Sequence, residues 1–549
     1  MELCYTTLDI QDAGCLWKSV FSKTGGRIGT QGAAASVVPI RPMKNNRFVK
    51  ALPFSHLLLL FGTALAIPFL LMTVLNNCIA PWPLYHKNRL VLCVATPLFT
   101  VFLWALQGLL RRRPVRLGNG TILISAMLFF LIQIFCALSL RHTPFTDTEQ
   151  IVTAAKNLAQ TGSYEQSPRT YQYFSWYPFN LGTVYLYAFL FRLFGLFGFT
   201  DTYLVIAVFA GILFSVGLIS GTKCAVHLRG DLAGIYFLIL SGICFPFYYC
   251  TAELYTDVLA LPFPVLLLYL YLKADNCTGW KRHLLLTAFA LLLLIGTQIR
   301  FTVLILPIAC LMDALLKKKI RLFTECLVLS AVILAVGTLS IERVNAAHLG
   351  KENLETHRLS VWHYLAMGLP VHEDDGYGQY GDGGWLIFST SFSDPGERDA
   401  QLRRMIKDRV YYLRYPNRML NMLSRKNVST FGDGSFHLNE LIEADEHDIN
   451  NGLKNIIYAN GKGYPVYYHI CSAMFYAQML IAALSCFRAV KKRQLDAAPV
   501  FITLVGAFIY LTMWETNARY FFMFEFLLLL AASLCFDPPK EKDRPQPVL

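Results

Sequence analysis

Charged residues are scarce in this sequence. Asp, Glu, Lys and Arg make up 15% of its 549 residues, whereas ordinary soluble domains have about 25%. Hydrophobic residues make up 55% of the chain, and the mean hydropathy is +0.43. The composition therefore excludes a set of water-soluble domains and predicts an all-α polytopic membrane protein.

Three sequence signals are missing, and each absence excludes a class of structure. No CxxC or Cys/His spacing typical of a zinc site occurs. Residues 342–464 contain no cysteine, and most cysteines, such as Cys93 and Cys310, lie inside apolar stretches, so structural disulfides are not expected. Residues 1–50 have no apolar core and end in a basic stretch, which excludes a signal peptide and predicts a disordered cytoplasmic tail.

Long apolar runs fill most of the remaining chain. Each has about 17–25 residues, the length needed to cross a bilayer. The thirteen runs are 55–77, 89–110, 120–140, 180–198, 201–222, 232–250, 255–272, 284–299, 301–316, 322–341, 465–488, 497–514 and 518–536.

Lysine and arginine clusters between the runs predict which side each connection faces. The net charge of +13 is concentrated in these short clusters, which is typical of cytoplasmic loops rather than of a nucleic-acid-binding surface. The opposite side is then predicted to hold 141–179, 251–256, 342–464 and 515–517. We expect twelve spans with both termini cytoplasmic.

One part of this topology conflicts with hydropathy. An odd number of crossings must separate 141–179 from the basic residues 223–229, yet two apolar runs, 180–198 and 201–222, lie between them. Either one run is re-entrant or flat on the membrane, or a predicted boundary is wrong.

The first outer segment contains the first candidate catalytic residue. Thr146 and Glu149 have the spacing of a capping box, and the apolar positions after them predict a surface helix that Gly162 stops. Asp147 would lie at the start of this helix, where a carboxylate is favoured as a plain N-terminal cap. It would also lie at the membrane edge, where the headgroup of a lipid-linked substrate would be.

Two further outer segments contribute acids and an arginine. Glu253 and Asp257 belong to the second segment, and Glu515, Arg519 and Tyr520 to the last. An arginine inside an apolar span costs roughly 2–3 kcal/mol, so it is expected to have a partner or a ligand, and its planar fork suits a phosphate. Arg300, between two apolar runs, either pairs with an acid or faces an anionic substrate.

The long segment 342–464 contains a stretch whose composition is typical of turns and also of sites that bind a sugar. Its candidate residues are Trp362, His363 and Asp382, in a stretch rich in Gly, Asp and Tyr. Such a composition forms turns by default, but it also supplies flat aromatic faces and short polar side chains.

The order and sidedness of these motifs resemble the GT-C superfamily of membrane glycosyltransferases. The motifs are DTE at 147–149, SWYPFNLGTVYLYAFLFRLFG at 175–195, the acidic second loop and the final E..ARYF at 515–521. The resemblance covers about 120–536 and is closest to the protein O-mannosyltransferase and aminoarabinose-transferase type. The stretches VWHYLAMGL, DGYGQYGDGGW and STFGDGSF resemble Gram-positive bacterial members.

This resemblance implies transfer of a sugar from a polyprenyl-phosphate donor to an acceptor hydroxyl at the outer face of the cytoplasmic membrane. Asp147 would be the catalytic base or a metal ligand, and Asp257 or Glu253 the second-loop acid. Arg519 would hold the donor phosphate, with Arg300 and Tyr520 beside it. Supporting acids or metal ligands would be Glu149, Glu253, Asp257 and Glu515. The cofactor is open between none and a divalent metal ion.

The resemblance also implies a domain organisation. A transmembrane hairpin at 51–117 precedes a catalytic module at 118–341, the long outer loop 342–464, C-terminal helices at 465–536 and a cytoplasmic tail at 537–549. The predicted partners are membrane lipid and an envelope glycan, glycolipid or protein acceptor, and not nucleic acid. A transporter or flippase of lipid-linked glycans, an envelope polysaccharide polymerase or ligase, and a receptor or scaffold remain alternatives.

Overall fold

The structure of the chain is a computed structural model that describes residues 53–79, 88–112, 115–163, 167–370, 378, 384–442 and 451–538. These described residues form helices and turns and no strand. The predicted tail at 1–50, most of the predicted tail at 537–549 and Asp382 lie outside them.

Twenty-four α-helices make up the described fold. They are α1 (Phe54–Ala64), α2 (Ala66–Ile79), α3 (Arg89–Arg111), α4 (Asn119–Ser139), α5 (Thr146–Thr161), α6 (Pro168–Trp176), α7 (Leu181–Gly195), α8 (Thr202–Arg229), α9 (Asp231–Ile243), α10 (Thr256–Ala260), α11 (Phe263–Asp275), α12 (Trp280–Ile299), α13 (Ile305–Leu316), α14 (Ile320–Leu349), α15 (Lys351–His357), α16 (Val361–Gly368), α17 (Gly384–Thr390), α18 (Pro395–Tyr412), α19 (Pro416–Phe431), α20 (Gly452–Ile457), α21 (Tyr464–Lys491), α22 (Ala498–Met513), α23 (Arg519–Phe522) and α24 (Glu525–Ser533).

Nine helical segments of the described residues are long and apolar enough to cross a membrane. They are Phe54–Ile79, α3, α4, α8, Thr256–Asp275, α12, α14, α21 and Leu495–Met513. The other four predicted runs also form helices, but shorter ones: α7, α9, α13 with the turn before it, and α23 with α24. The prediction of an all-α polytopic membrane protein is therefore confirmed.

Helices α21 and α24 lie at the centre of the bundle. Every residue of α24 is buried, and most of α21 is enclosed by its neighbours α2, α3 and α24. Helix α14 lies at the periphery, with most of its apolar side chains exposed where lipid would cover them. The segment 515–522, which leads into α24, is thereby fixed to the bundle centre.

Ionic contacts identify one end of the bundle as the basic end. Here Arg229 pairs with Asp496 at 2.6 Å and Lys319 with Asp275 at 2.6 Å, and the Arg111 guanidinium donates to the carbonyl of Cys535. The opposite end, termed the loop end, holds the described residues of 141–179, 251–256, 350–463 and 515–517.

The position of α7 accounts for the topological conflict. Asp201, just before α8, pairs with Arg141, just after α4, at 2.8 Å, so both lie at the loop end. Arg192 near the end of α7 donates to the carbonyls of Leu158 and Ala159 in α5. Helix α7 thus begins and ends at the loop end, and its 15 residues span only about 22 Å of a hydrocarbon layer about 30 Å thick.

This arrangement supports the re-entrant alternative for the run at 180–198. Without α7, the nine long segments, α9, Phe301–Leu316 and α23–α24 make twelve passes through the bundle. That number agrees with the predicted twelve spans.

The predicted surface helix is present as α5, but it starts differently. Ile151, Val152 and Ala155 are buried and Gly162 ends the helix with φ +82°, as expected. The capping box is wrong, because no side chain caps the helix and Thr146 is itself the first helical residue. Thr146 has φ +50°, a left-handed conformation that is unfavourable for a β-branched residue.

Candidate functional site

Asp257 is the centre of a buried cluster of charges at the loop end. It lies in the first turn of α10, and its side chain is fully buried. Its Oδ1 lies 2.8 Å from Nη2 of Arg300, and its Oδ2 lies 3.6 Å from Nε of Arg519. One carboxylate is therefore shared between two guanidinium groups that come from distant parts of the chain.

Aromatic rings and a hydroxyl hold the two arginines beside Asp257. Arg300 stands over the ring of Tyr520 at 4.7 Å, and its Nε donates to Oγ1 of Thr256 at 3.2 Å. Arg519 stands over the ring of Tyr255 at 5.4 Å. Its guanidinium makes no hydrogen bond with the described residues, and its Nε is buried. Arg519 thus has donor capacity that Asp257 does not use.

Asp147 reaches the same cluster through Tyr255. The hydroxyl of Tyr255 donates to Oδ2 of Asp147 at 3.1 Å, while its ring contacts Arg519. On the other side of Asp147 lies Tyr173 of α6. Burial raises the pKa of Tyr173 well above its usual value, and the nearby Tyr255 and Asp147 add to this effect. A single tyrosine therefore links the first-loop acid to the arginine of the last loop.

Glu253 and Glu515 are the other two predicted acids that lie in the cluster. Glu253 is buried, and neither of its carboxyl oxygens has a hydrogen-bond partner among the described residues. Burial raises the pKa of Glu253 well above its usual value, Asp257 adds to the rise, and Arg519 and Arg300 oppose it. Glu515 accepts a hydrogen bond from Tyr520 at 2.8 Å, and burial also raises its pKa.

Besides Tyr255 and Thr256, two residues from the segment 416–442 were not predicted. Glu440, in the turn Leu438–Leu441, adds negative charge beside Glu253. This turn follows Phe436 and His437, which both have positive φ. The strained backbone turns the chain after the STFGDGSF motif towards the acids.

Lys426 of α19 is the second unpredicted residue. It is buried, and its Nζ donates to the carbonyls of Gly368 and Trp514 at 2.5 Å each. Burial lowers the pKa of Lys426 to about 7, and the neighbouring Glu515 opposes this shift. Lys426 therefore joins the end of α16 to the segment that carries Glu515.

The remaining predicted residues lie away from Asp257. Glu149 makes no side-chain hydrogen bond or ion pair with the described residues. It lies two residues after Asp147 in α5 and so does not share a helix face with it. Trp362 lies under Arg403 of α18 at 5.6 Å. His363 is buried against Ser389 at 2.7 Å. Tyr364, the next residue of α16, stacks on Trp514 with 5.1 Å between ring centres.

The acids of the cluster do not form a metal site by themselves. Within the described ranges, no group of three or more His, Cys, Asp or Glu side chains is placed to hold a metal ion. The buried acids instead alternate with guanidinium groups, which suits an anionic ligand better than a cation. A carboxylate able to take a proton and two arginines able to bind an oxyanion thus lie within one cluster.

The fold and the cluster define a class: a helical membrane protein with many spans and a buried acid–arginine cluster at one end of the bundle. The chain belongs to the family described as conserved hypothetical integral membrane protein, whose sequence model matches residues 45–539. No curated protein matches the sequence.

Among solved structures, the chain is similar to the crystal structure of ArnT from Cupriavidus metallidurans bound to undecaprenyl phosphate. The identity is 11%, the match covers 76% of this chain and 78% of that chain, and the TM-score is 0.33. A likeness this distant carries no argument about the site, whose interpretation depends on the residues themselves.

Proposed function

We propose that this protein is a membrane glycosyltransferase that moves a sugar from a polyprenyl-phosphate donor to an acceptor hydroxyl at the outer membrane face. The observation that carries the proposal is Arg519, whose side chain is only 13% exposed and whose buried Nε has no hydrogen bond among the described residues. In the part of the chain that the structure describes, Asp257 is the one acid in ionic contact with Arg519, and Arg300 shares this acid. Such an arginine lowers the stability of a membrane protein unless an anionic ligand binds to its guanidinium group.

The donor phosphate would bind between Arg519 and Arg300. Guanidinium groups pair with phosphate oxygens through two parallel hydrogen bonds. Asp257 keeps both groups in place from the opposite side, and Thr256 and Tyr520 restrict Arg300 further. Glu253, whose pKa is raised by burial, adds a hydrogen-bond donor in its protonated form rather than a repelling charge.

Asp147 would act as the general base. Its carboxylate takes the proton of the acceptor hydroxyl while the acceptor oxygen forms a bond to the anomeric carbon. The bond between that carbon and the phosphate oxygen breaks, and the phosphate leaves with the bonding electrons, stabilised by the two arginines. A single displacement of this kind inverts the anomeric configuration. Tyr255, which donates to Asp147 and contacts Arg519, positions the base relative to the leaving group.

Transfer from radiolabelled polyprenyl-phosphate sugars by membranes that contain the full chain tests the proposal. Asp147→Asn should lower the rate by roughly 100- to 10,000-fold, the usual contribution of a general base. Glu149→Gln is the matched control, since it removes a carboxylate from the same helix without touching the cluster. Full activity of Asp147→Asn at equal protein level, or an equal loss in Glu149→Gln, would contradict the proposed role.

A further inference from the structure

The corner between α18 and α19 is a second concentration of positive charge, separate from the cluster around Asp257. Between 395 and 431 the chain has nine Lys and Arg residues against three Asp and Glu, and none of the acids lies after Asp408. Residues 414–421 are all exposed. Neither Arg414 nor Arg418 has an ion pair within the described part of the chain, so the corner is a cationic surface.

Tyrosine rings organise the two arginines of this corner. The guanidinium of Arg414 lies 3.6 Å from the ring centre of Tyr411 and 4.7 Å from that of Tyr415. The guanidinium of Arg418 lies 4.0 Å from the ring centre of Tyr412 and 4.8 Å from that of Tyr415. Nη2 of Arg414 also donates to the hydroxyl of Tyr415 at 2.7 Å. Stacking fixes each guanidinium, and the N–H groups that make no hydrogen bond with the protein can bind an oxyanion.

Apolar side chains stand beside these arginines. Val410, Met419 and Leu420 have exposed fractions of 55%, 45% and 61%, and Tyr411 is 65% exposed. A protein surface at the boundary between lipid headgroups and hydrocarbon typically combines arginine and tyrosine with exposed aliphatic residues.

Hydrogen bonds hold α19 at the membrane end of a spanning segment. Asn76 donates to the carbonyl of Ser424 at 2.9 Å, and Asn77 donates to Oδ1 of Asn427 at 3.1 Å. These asparagines lie in the last turn of α2, where Ile79 is 70% exposed on the surface that lipid would cover. The corner one to two turns before Ser424 is thus placed at the depth of the lipid headgroups.

We infer that the Arg414–Arg418 corner binds the headgroup phosphates of anionic phospholipids in the membrane leaflet at the loop end. The lack of acids explains the preference for anionic lipid, and the exposed aliphatic side chains explain why the phosphate belongs to a lipid rather than to a soluble ion. Binding there anchors α18 and α19, which contact α16 and the segment 514–516. The inference does not depend on the proposed transferase activity.

Hydrogen exchange of the full chain in lipid nanodiscs tests the inference. In phosphatidylglycerol nanodiscs, peptides covering 410–421 should exchange at least roughly tenfold more slowly than in phosphatidylcholine nanodiscs, since each arginine at an anionic surface contributes about 1 kcal/mol. Arg414→Gln with Arg418→Gln should remove the difference. Arg404→Gln with Lys407→Gln, which removes two exposed charges from α18, should keep it.

Two further arms make the result decisive. Arg414→Lys with Arg418→Lys keeps both charges and should keep the dependence on phosphatidylglycerol even if the Gln variant loosens the corner. Loss of the dependence in the Lys variant, or equal exchange of the unmodified chain in both lipids, would overturn the inference. Equal protection by inorganic phosphate in phosphatidylcholine nanodiscs would overturn the assignment to lipid.

Discussion

Replacement of Asp257 by Asn should have opposite effects on stability and on anion binding. Asn has the same shape and still offers an oxygen to Arg300, but it removes the carboxylate that, among the described residues, is in ionic contact with both guanidinium groups, whose side chains are 15% and 13% exposed. Removal of one partner from a buried ion pair costs about 3–5 kcal/mol, because the remaining charge is left uncompensated. The variant should therefore unfold more easily.

The same change should strengthen the binding of a polyprenyl phosphate. A unit negative charge about 6 Å from a bound phosphate, in an environment of effective dielectric about 20, opposes binding by roughly 3 kcal/mol. Its removal should therefore lower the Kd by roughly 100-fold. The arginines keep their orientation, since Thr256 and Tyr520 still hold Arg300, and Tyr255 still contacts Arg519.

Both quantities can be measured on the purified chain. Most cysteines in the described residues are buried, so a thiol-reactive fluorophore reports unfolding on heating, and a short-chain polyprenyl phosphate serves as the ligand. Asp201→Asn is the matched control, because its pair with Arg141 has the same 2.8 Å separation but is partly exposed, and should cost under about 1 kcal/mol. Equal destabilisation in the two variants, or weaker phosphate binding by Asp257→Asn, would refute the reasoning.

Three further predictions concern single positions. Thr146→Gly should stabilise the protein by about 1 kcal/mol by relieving the positive φ, whereas Thr153→Gly, inside α5, should destabilise it by roughly 0.3 kcal/mol, the difference in helix propensity between the two residues; thermal unfolding separates the two. Gly182→Ala would place a methyl group 2.3 Å from the carbonyl oxygen of Gln298 and should lower the unfolding temperature, while Gly120→Ala, with open space around it, should not. Burial, with the charge of Arg398, lowers the pKa of His363 from 6.5 to about 4, so the unfolded chain takes up a proton first as the pH falls and stability is lost between about pH 6.5 and 4. His363→Gln should reduce that loss, and an unchanged loss between pH 7 and 4.5 would contradict it.

Most of the helical fold can be predicted from the sequence, because a helix that crosses a bilayer needs a long apolar run, and hydropathy detects such runs directly. All thirteen predicted runs are helical, and the burial of Ile151, Val152 and Ala155 in α5 follows from their spacing. Hydropathy failed to distinguish α7 from a full span, since it does not show where the ends of a helix are attached. That information lies in Arg141, Asp201 and Arg192, whose partners are distant in sequence.

The candidate site was predictable where polar residues interrupt apolar surroundings. Asp147, Asp257, Arg300 and Arg519 stand out for that reason, and the structure brings them together. Tyr255 was missed although it lies between Glu253 and Asp257 in the sequence TAELYTD at 251–257, because tyrosine is common at the ends of membrane spans.

Lys426 and Glu440 could not be recognised from their neighbourhoods. Lys426 belongs to a segment with many exposed cations, and only the packing of α19 under Gly368 and Trp514 makes it buried. Glu440 follows a Gly-rich turn, and its approach to Glu253 depends on the positive φ angles of Phe436 and His437. In both cases the position of the residue depends on contacts between segments that are distant in the sequence.

The incomplete pairing at the cluster is itself an argument for a ligand. Within the described residues, the buried carboxyl oxygens of Glu253 and the buried Nε of Arg519 have no hydrogen bond, and each group therefore costs stability. They are not paired with each other, although Arg519 is close enough to oppose the pKa shift of Glu253. A bound oxyanion would accept from Arg519 and from protonated Glu253 at once, which would satisfy both groups. The residues that destabilise the chain without a ligand are thus the ones whose missing hydrogen bonds a phosphate would supply.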